Sequence, residues 1–401
     1  MAPVYTIGTM DTKGSEIDWL ARRVRDCGVA AMTIDVGTSH ASDAEPDVDR
    51  RTVASFHPGG VEAVLGLKDR GEAVTAMSIA LERFLLSEFE NGKMSGAIGM
   101  GGTGGTALIS PGFRKLPIGF PKVLLSTVAS GNTRPYVGTS DILMMNSVVD
   151  VAGLNTVSKQ VFSNAAHAIA GMVKNRTPYA KGERSLGMTM FGVTTPCVNM
   201  VREKLEKEWE CLVFHATGIG GQTMEKLVSS GLIQSLLDLT TTEVADEVVG
   251  GVFPAGPDRF DILSKAAIPC VMSLGALDMV NFGSMETVPQ KFQNRKLHVH
   301  NAQVTLMRTT VEENLAIARW IANKINHSVG PLTLLIPEGG VSLLDEPGKP
   351  FYDPEADEAL FSELEKLLEI GALRKIIRLP FHINDPLFAA EAVKAFNEIT
   401  H

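Results

Sequence analysis

Cysteine is scarce, with four residues in 401. Cys27, Cys197, Cys211 and Cys270 never fall into a C-x-x-C spacing, which excludes zinc-finger and thioredoxin-type readings and fits a reduced, cytoplasmic setting. No run of eighteen apolar residues occurs, so no transmembrane helix is expected. The opening Met1–Ile7 lacks a basic segment followed by a long apolar run, so no secretory leader is expected. Positive charge is also short. Lysine and arginine number 37 against 46 acidic residues, giving a net charge of −9. A binder that works through a globally basic surface is therefore disfavoured, a local basic site stays open, and neither nucleic acid nor membrane is an expected partner. Low-complexity tracts and short repeats are missing as well. What remains is ordinary globular composition, 44% hydrophobic and 21% charged. At roughly 100–200 residues per domain, the length implies about two or three domains.

The recurring pattern is a short apolar run, a glycine or polar turn, then a helical stretch. Strands are expected at Val4–Thr9, Ala30–Val36, Ala97–Met100 and Lys122–Val128. Further strands are expected at Ser185–Val193, Glu210–His215, Cys270–Leu274, Val304–Arg308, Leu332–Pro337 and Lys375–Pro380. Their continuous apolar character suits strands buried on both faces of a parallel sheet. Helices are expected between them, at Glu16–Asp26, Ala73–Phe89, Ser158–Val173, Val198–Trp209, Val311–Asn326 and Glu355–Leu368, with a closing helix from Pro386. The polar stretch Asn175–Arg184, with its proline and glycine, reads as a boundary. The expected fold is thus α/β, with two Rossmann-like subdomains of mainly parallel sheet, 1–180 and 185–401, and a cleft between them.

The strongest local signal is Gly99-Met100-Gly101-Gly102-Thr103-Gly104-Gly105-Thr106. Gly99, Gly101 and Gly104 satisfy G-x-G-x-x-G after a strand and before a helix. Such glycines let backbone N–H groups approach a phosphate, and the helix dipole favours the anion. Thr103 and Thr106 add hydroxyl donors. The dinucleotide fingerprint also wants an acid about 20 residues later, for the ribose. Here no Asp or Glu occurs between Asn91 and Ser140, a window that holds Lys93, Arg114, Lys115, Lys122 and Arg134. That points to an anion site rather than an NAD site, and no Gly-Lys-Ser/Thr makes it a Walker A loop. A tightly packed turn is the plainer alternative.

A second polar loop, Ser126–Thr133, follows a strand and offers Ser130, Gly131 and Asn132 to a phosphate or ribose, or is a plain turn. His215 ends a strand before the Gly218-Ile219-Gly220-Gly221 turn and is either a candidate acid/base or a histidine hydrogen-bonded within its loop. Glu338, before Gly339-Gly340, is a candidate ligand for metal, ribose or substrate. His382 and Asp385 form either a catalytic pair or, for Asp385 before Pro386, a helix cap. Asp11, after the first strand, and Asp35, ending the second, are further candidates, with helix capping or a turn explaining Asp11 equally well; Asp278 and Asn281 are candidates for the cleft. His298 and His300 share one strand face, but no third metal ligand is evident, and no metal site is expected from them.

Several of these segments occur together, in order, in one known group. Ile7-Gly8-Thr9-Met10-Asp11-Thr12-Lys13, Gly99–Thr106, His215–Gly221, Ile336-Pro337-Glu338-Gly339-Gly340 and His382-Ile383-Asn384-Asp385 resemble the uncharacterised family containing the ATP-binding N-terminal domain of the tomato mosaic virus resistance protein. The resemblance spans essentially the whole chain. It implies two α/β subdomains, ATP as ligand and a homodimer. The plant member continues into a TIM-barrel region, which implies a separate TIM-barrel protein as a partner here. Nucleotide contacts carry over only to the glycine loop, and catalytic residues do not carry over.

Two classes of function fit. One is a metabolic enzyme acting on a small phosphorylated or acidic substrate. In it the glycine loop holds ATP, Mg²⁺ bridges phosphates and a carboxylate, and His215, Glu338 and His382 supply the chemistry. The other is a non-catalytic ATP-binding dimer that recognises a protein partner. An NADP-dependent oxidoreductase, with Arg114 or Arg134 on the 2′-phosphate, and an enzyme using inorganic phosphate or a phosphorylated substrate are the remaining alternatives.

Overall fold

The computed structural model describes residues 2–40, 44–177 and 184–400. The chain divides into two compact units, 1–179 and 180–401. Most of the polar stretch read as a boundary, residues 178–183, lies outside the described residues.

In the first unit, β1 (Val4–Gly8) leads through α1 (Met10–Asp26) to β2 (Ala31–Asp35). After α2 (Arg50–Ala54), α3 (Glu62–Leu65) and α4 (Arg70–Glu90) come β3 (Gly96–Gly101), α5 (Thr103–Lys115) and β4 (Lys122–Ser126). The unit closes with α6 (Arg134–Val137), β5 (Leu143–Asn146) and α7 (Thr156–Lys174). The five strands pair in the order β2-β1-β3-β4-β5, all parallel. The pleat explains the continuous apolar runs. In β4, Leu124 enters one core with α4 and α5, while Val123 and Leu125 enter the opposite core with α1 and α7. β5, exposed at both its ends, is the one strand of this sheet that the apolar pattern misses.

In the second unit, β6 (Ser185–Met190), α8 (Thr195–Leu205), β7 (Glu210–His215), α9 (Ile219–Ser229), β8 (Ser235–Thr240), α10 (Thr242–Val249) and β9 (Cys270–Gly275) follow in turn. An insertion carries β10 (Met279–Phe282), β11 (Leu297–Asn301) and β12 (Val304–Arg308). The chain then runs through α11 (Val311–Ile325), β13 (Leu332–Pro337), α12 (Pro354–Leu367), β14 (Arg374–Leu379) and α13 (Pro386–Thr400). The main sheet is parallel, in the order β14-β13-β9-β8-β6-β7. Val304–Arg308 does not belong to it. It is the centre of a separate antiparallel sheet, β10-β12-β11. β8 escapes a sequence reading because Asp238 interrupts its apolar run, and the buried Arg259 and the Thr189 hydroxyl, both from other elements, make that charge tolerable.

Both units therefore wind the same way. Counted within each unit, the strand order is 2-1-3-4-5, with a sixth strand in the second, as in the flavodoxin-like arrangement. In such sheets ligands bind outside the carboxyl ends of the strands where the winding direction reverses. That point lies between β1 and β3 in the first unit and between β6 and β8 in the second. Among the described residues, no helix is long and apolar enough to cross a membrane. All four cysteines are free thiols.

Candidate nucleotide loop and a histidine-lined pocket

In the first unit the glycine loop follows β3, at the reversal point. It does not follow β1, where a dinucleotide fingerprint belongs, which removes the positional argument for NAD. β1 and β3 pair with Ile7 opposite Gly99, so the Thr9–Lys13 and Gly101–Gly105 turns leave neighbouring strands at one edge. The glycines divide by role. A Cβ at Gly99 would sit 2.8 Å from Ile109 Cγ2, and one at Gly101 would sit 2.8 Å from Gly105 Cα. These two let α5 lie close on the strand. At Gly104 a Cβ meets nothing within 4 Å, and at Gly102 and Gly105 the nearest atoms are 3.7 and 3.6 Å away. Here the missing side chains leave free space at the helix start. Gly102 caps α5 without a side-chain hydrogen bond, and no acid stands in the first turn. The first N–H groups of the helix thus have no intrahelical acceptor.

Thr103 is exposed at the start of α5, whereas Thr106 is fully buried. The Thr106 hydroxyl lies 2.6 Å from Ser126 Oγ, joining the helix to the end of β4. Thr106 therefore supports the loop and offers no donor to a ligand. Ser130, Gly131 and Asn132 are exposed beyond β4, where Asn132 Oδ1 accepts from the Arg134 N–H at 3.2 Å.

The basic window of the sequence does not become a basic site. Arg114 and Lys115 lie in the last turn of a 13-residue helix, roughly 18 Å from its start. Lys122 is buried at the opposite end of β4, 2.6 Å from Asp141, and burial pulls its ammonium below the ordinary value. Lys93 pairs with Glu88 at 2.9 Å. Arg134 is exposed and opens α6 just past the Ser130–Asn132 turn, where the neighbouring Pro135 carbonyl accepts from the Arg114 guanidinium. A charge that sequence reading passed over stands near β2 instead. Arg50 opens α2, acts on Asp35 electrostatically, and carries a buried Nη1 without a hydrogen-bond partner.

The two acids at this edge differ. Asp35 is buried and accepts from the N–H groups of Met10 (3.0 Å) and Gly37 (2.8 Å). Burial raises its carboxyl despite those bonds. Its work is to hold the turn after β1. Asp11 accepts from the Ser39 N–H at 3.0 Å through Oδ2, while its buried Oδ1 has no partner. Beside it is a cavity of about 540 Å³ bordered by Thr12, Ser15, Asp18, Trp19 and Arg22.

In the second unit, His215 ends β7 opposite Met190. Its ring lies 5.2 Å from that of Phe191, and burial pulls the imidazole below its ordinary value. The glycine turn behind it is a packing device. Gly218 (φ +77°) donates to Glu243 Oε2 at 2.7 Å, and a Cβ at Gly220 or Gly221 would collide with His215 O or Glu243 Oε1. Glu243 belongs to a buried cluster absent from the sequence reading. Arg259 reaches Asp238, Glu243 and Glu225, each at 2.6 Å. Burial raises the Glu225 and Glu243 carboxyls, while burial of Arg259 is outweighed by the three acids.

Glu338 follows β13, is exposed, and pairs with Arg378 at 3.1 Å. His382 lies against the Gly339-Gly340 turn. Its Nδ1 accepts from the Asn384 N–H at 3.0 Å, so Nε2 donates to Ser342 O at 2.8 Å. Both ring nitrogens are thus occupied within the loops. Asp385 Oδ1 accepts from the Leu387 N–H at 2.8 Å at the start of α13, the capping arrangement. The β13 and β7 ends are four strand intervals apart, roughly 19 Å. His215, Glu338 and His382 therefore do not converge on one reacting atom.

Asp278 and Asn281 are interior residues, 1% and 0% exposed, rather than surface-site groups. Asp278 accepts from Ser342 Oγ at 2.7 Å, and burial together with Asp345 pushes its carboxyl up to about 7. His298 packs against Phe351 while His300 lines a cavity with His215. Among the described residues, no group of three or more His, Cys, Asp or Glu is placed to hold a metal ion.

Comparison with known proteins matches both units. Residues 2–178 match the N-terminal domain, and 183–400 the C-terminal domain, of the Uncharacterised protein family UPF0261. A UPF0261 protein of Rhizobium meliloti (strain 1021) is 51% identical over the full length of both chains. The ToMV resistance protein Tm-1(GCR237) of Solanum lycopersicum is 50% identical across 99% of this chain, which spans 56% of that relative. The match to a solved UDP-GlcNAc 2-epimerase of Methanocaldococcus jannaschii covers 99% of this chain and 92% of that one, at 11% identity and a TM-score of 0.22. The chain is a member of the UPF0261 family.

Proposed function

We propose that this protein binds ATP at the β1/β3 reversal point of its first unit. The observation that carries the reading is the start of α5. Its first-turn N–H groups are uncapped, no acid stands there, and Gly102, Gly104 and Gly105 leave open space. A polyphosphate fits such a cradle because the N–H groups and helix dipole favour negative charge. Thr103 lies in the first turn, and the exposed Ser130, Gly131, Asn132 and Arg134, past the end of β4, are the hydroxyl, amide and guanidinium donors this reading assigns to the nucleotide. The unpartnered Asp11 Oδ1 suits a Mg²⁺ ion, which takes one or two carboxylates plus phosphate oxygens. Bound there, the ion would neutralise phosphate charge.

The test is a thermal-shift titration with ATP, ADP, AMP, NADPH and phosphate, each with and without Mg²⁺, on wild type and Gly104→Val. Stabilisation by ATP in wild type that disappears in the variant supports the reading. No shift with any nucleotide overturns it.

Between the two function classes, the spread of His215, Glu338 and His382 across the sheet favours a binding role, an ATP-dependent homodimer that recognises a protein partner. Light scattering with and without ATP gives the oligomer. Release of ADP or phosphate, abolished by His215→Ala, would favour the enzyme instead.

A further inference from the structure

We propose that the cavity at the carboxyl ends of β6 and β7 is a second binding site, for a small uncharged aromatic molecule carrying one hydroxyl or carbonyl group, with His215 as its hydrogen-bond partner. It lies within the second unit and is independent of the nucleotide reading. The cavity measures about 220 Å³. A closed apolar cavity of ~150 Å³ accepts benzene, so this one has room for a single ring and a short substituent. Phe191, Val193, Phe253, Val304 and Leu306 supply apolar surface. The β11–β12 hairpin contributes the last two together with His300 and Asn301, so the antiparallel insertion forms part of the wall. The cavity lies at the carboxyl edge of the sheet on the β7 side of β6, the strand that also borders the β6/β8 reversal.

The chemistry of the wall selects the ligand. No lysine, arginine, aspartate or glutamate is among the described residues that line it, so a charged ligand would lose its hydration without a counter-ion. The Asn301 side-chain oxygen Oδ1 is already engaged, accepting from the Gln303 N–H at 2.8 Å. His215 is held below its ordinary value by burial, so its ring is neutral near pH 7 and can both donate and accept. The Phe191 ring, 5.2 Å from the imidazole, offers a face for an aromatic guest. At Gly192 a Cβ would meet nothing within 4 Å, leaving the backbone open to the cavity.

The experiment is NMR titration of protein labelled at histidine ring carbons, with the His215 and His300 signals assigned from His215→Gln and His300→Gln. The probe is p-cresol, compared with toluene and benzoate. The expected result is a saturable shift of the His215 signal by p-cresol. Toluene should bind about ten-fold more weakly, the worth of one hydrogen bond. Benzoate should be weaker still. Gly192→Leu, which fills open space, should abolish the p-cresol shift while keeping the melting temperature. Val304→Phe is a second plug should that variant misfold. Absence of a saturable shift in wild type overturns the proposal. So does toluene equal to p-cresol, benzoate tighter than either, or p-cresol binding that survives a folded plug variant.

Discussion

Replacing two glycines of one loop by alanine should move stability in opposite directions. At Gly104, in the first turn of α5, the new methyl meets no atom within 4 Å. Alanine is the better helix former and narrows the unfolded ensemble, so Gly104→Ala should stabilise the ligand-free protein by about 0.4–1 kcal/mol. At roughly 2–4 °C per kcal/mol for a unit of this size, the first unit should melt about 1–4 °C higher. At Gly101 the same methyl would lie 2.8 Å from Gly105 Cα and 3.1 Å from Thr106 N, both backbone atoms. Strand and helix would have to separate, at a cost of about 1–3 kcal/mol, and melting should fall by several degrees. Toward ATP both should weaken binding, Gly104→Ala by placing a methyl in the cradle and Gly101→Ala by displacing the start of α5. ATP at 100 times its dissociation constant stabilises wild type by about 2.7 kcal/mol. A methyl in the phosphate cradle that weakens binding ten-fold removes about 1.4 kcal/mol of that. Scanning calorimetry of wild type and both variants, with and without Mg²⁺-ATP, reads all four quantities. If Gly104→Ala melted lower without ligand, the open first turn would be wrong. If it kept the whole ATP shift, the phosphates would have to bind elsewhere.

Thr106→Val should cost about 1 kcal/mol by breaking the bond to Ser126, yet leave ATP affinity within two-fold, as urea unfolding and calorimetric titration would report. Arg259→Met should cost about 3–5 kcal/mol, because it leaves Asp238, Glu243 and Glu225 buried without their cation. Denaturation at about pH 5 should show a smaller loss than at about pH 8, since neutral carboxyls tolerate burial better. Asp278 is raised from 3.8 to about 7, chiefly by burial, so the folded state holds its proton across that interval. Its contribution is complete below about pH 4 and fades as pH rises through about 7. Asp278→Asn, which can still accept from Ser342, should therefore gain on wild type as pH rises, and parallel stability curves would refute this.

Sequence alone determined the repeating β–α order, because strands buried on both faces must be apolar throughout and helices between them must be amphipathic. It also determined which segments are turns. The structure separates turns that look alike on paper. Gly102, Gly104 and Gly105 leave open space, whereas Gly218, Gly220, Gly221 and the Gly339-Gly340 pair are glycines because backbone or a buried acid fills the place of a side chain. A glycine in a string carries no sign of which case applies. Charge misled for a related reason. Arg114, Lys115 and Lys122 lie close to the loop in sequence, but a helix and a strand carry them to other ends of the fold, while Arg50, far away in sequence, returns near Asp35. Three strand-end residues seemed able to cooperate until strand order put His215 four intervals from Glu338. Burial against distant partners was the least legible feature. Asp238 interrupts an apolar run and Asp278 reads as a cleft residue, and only the fold sets Arg259 and Ser342 beside them. Periodicity is a local property written into the chain, whereas which side chain faces space, solvent or a counter-charge depends on elements dozens of residues apart.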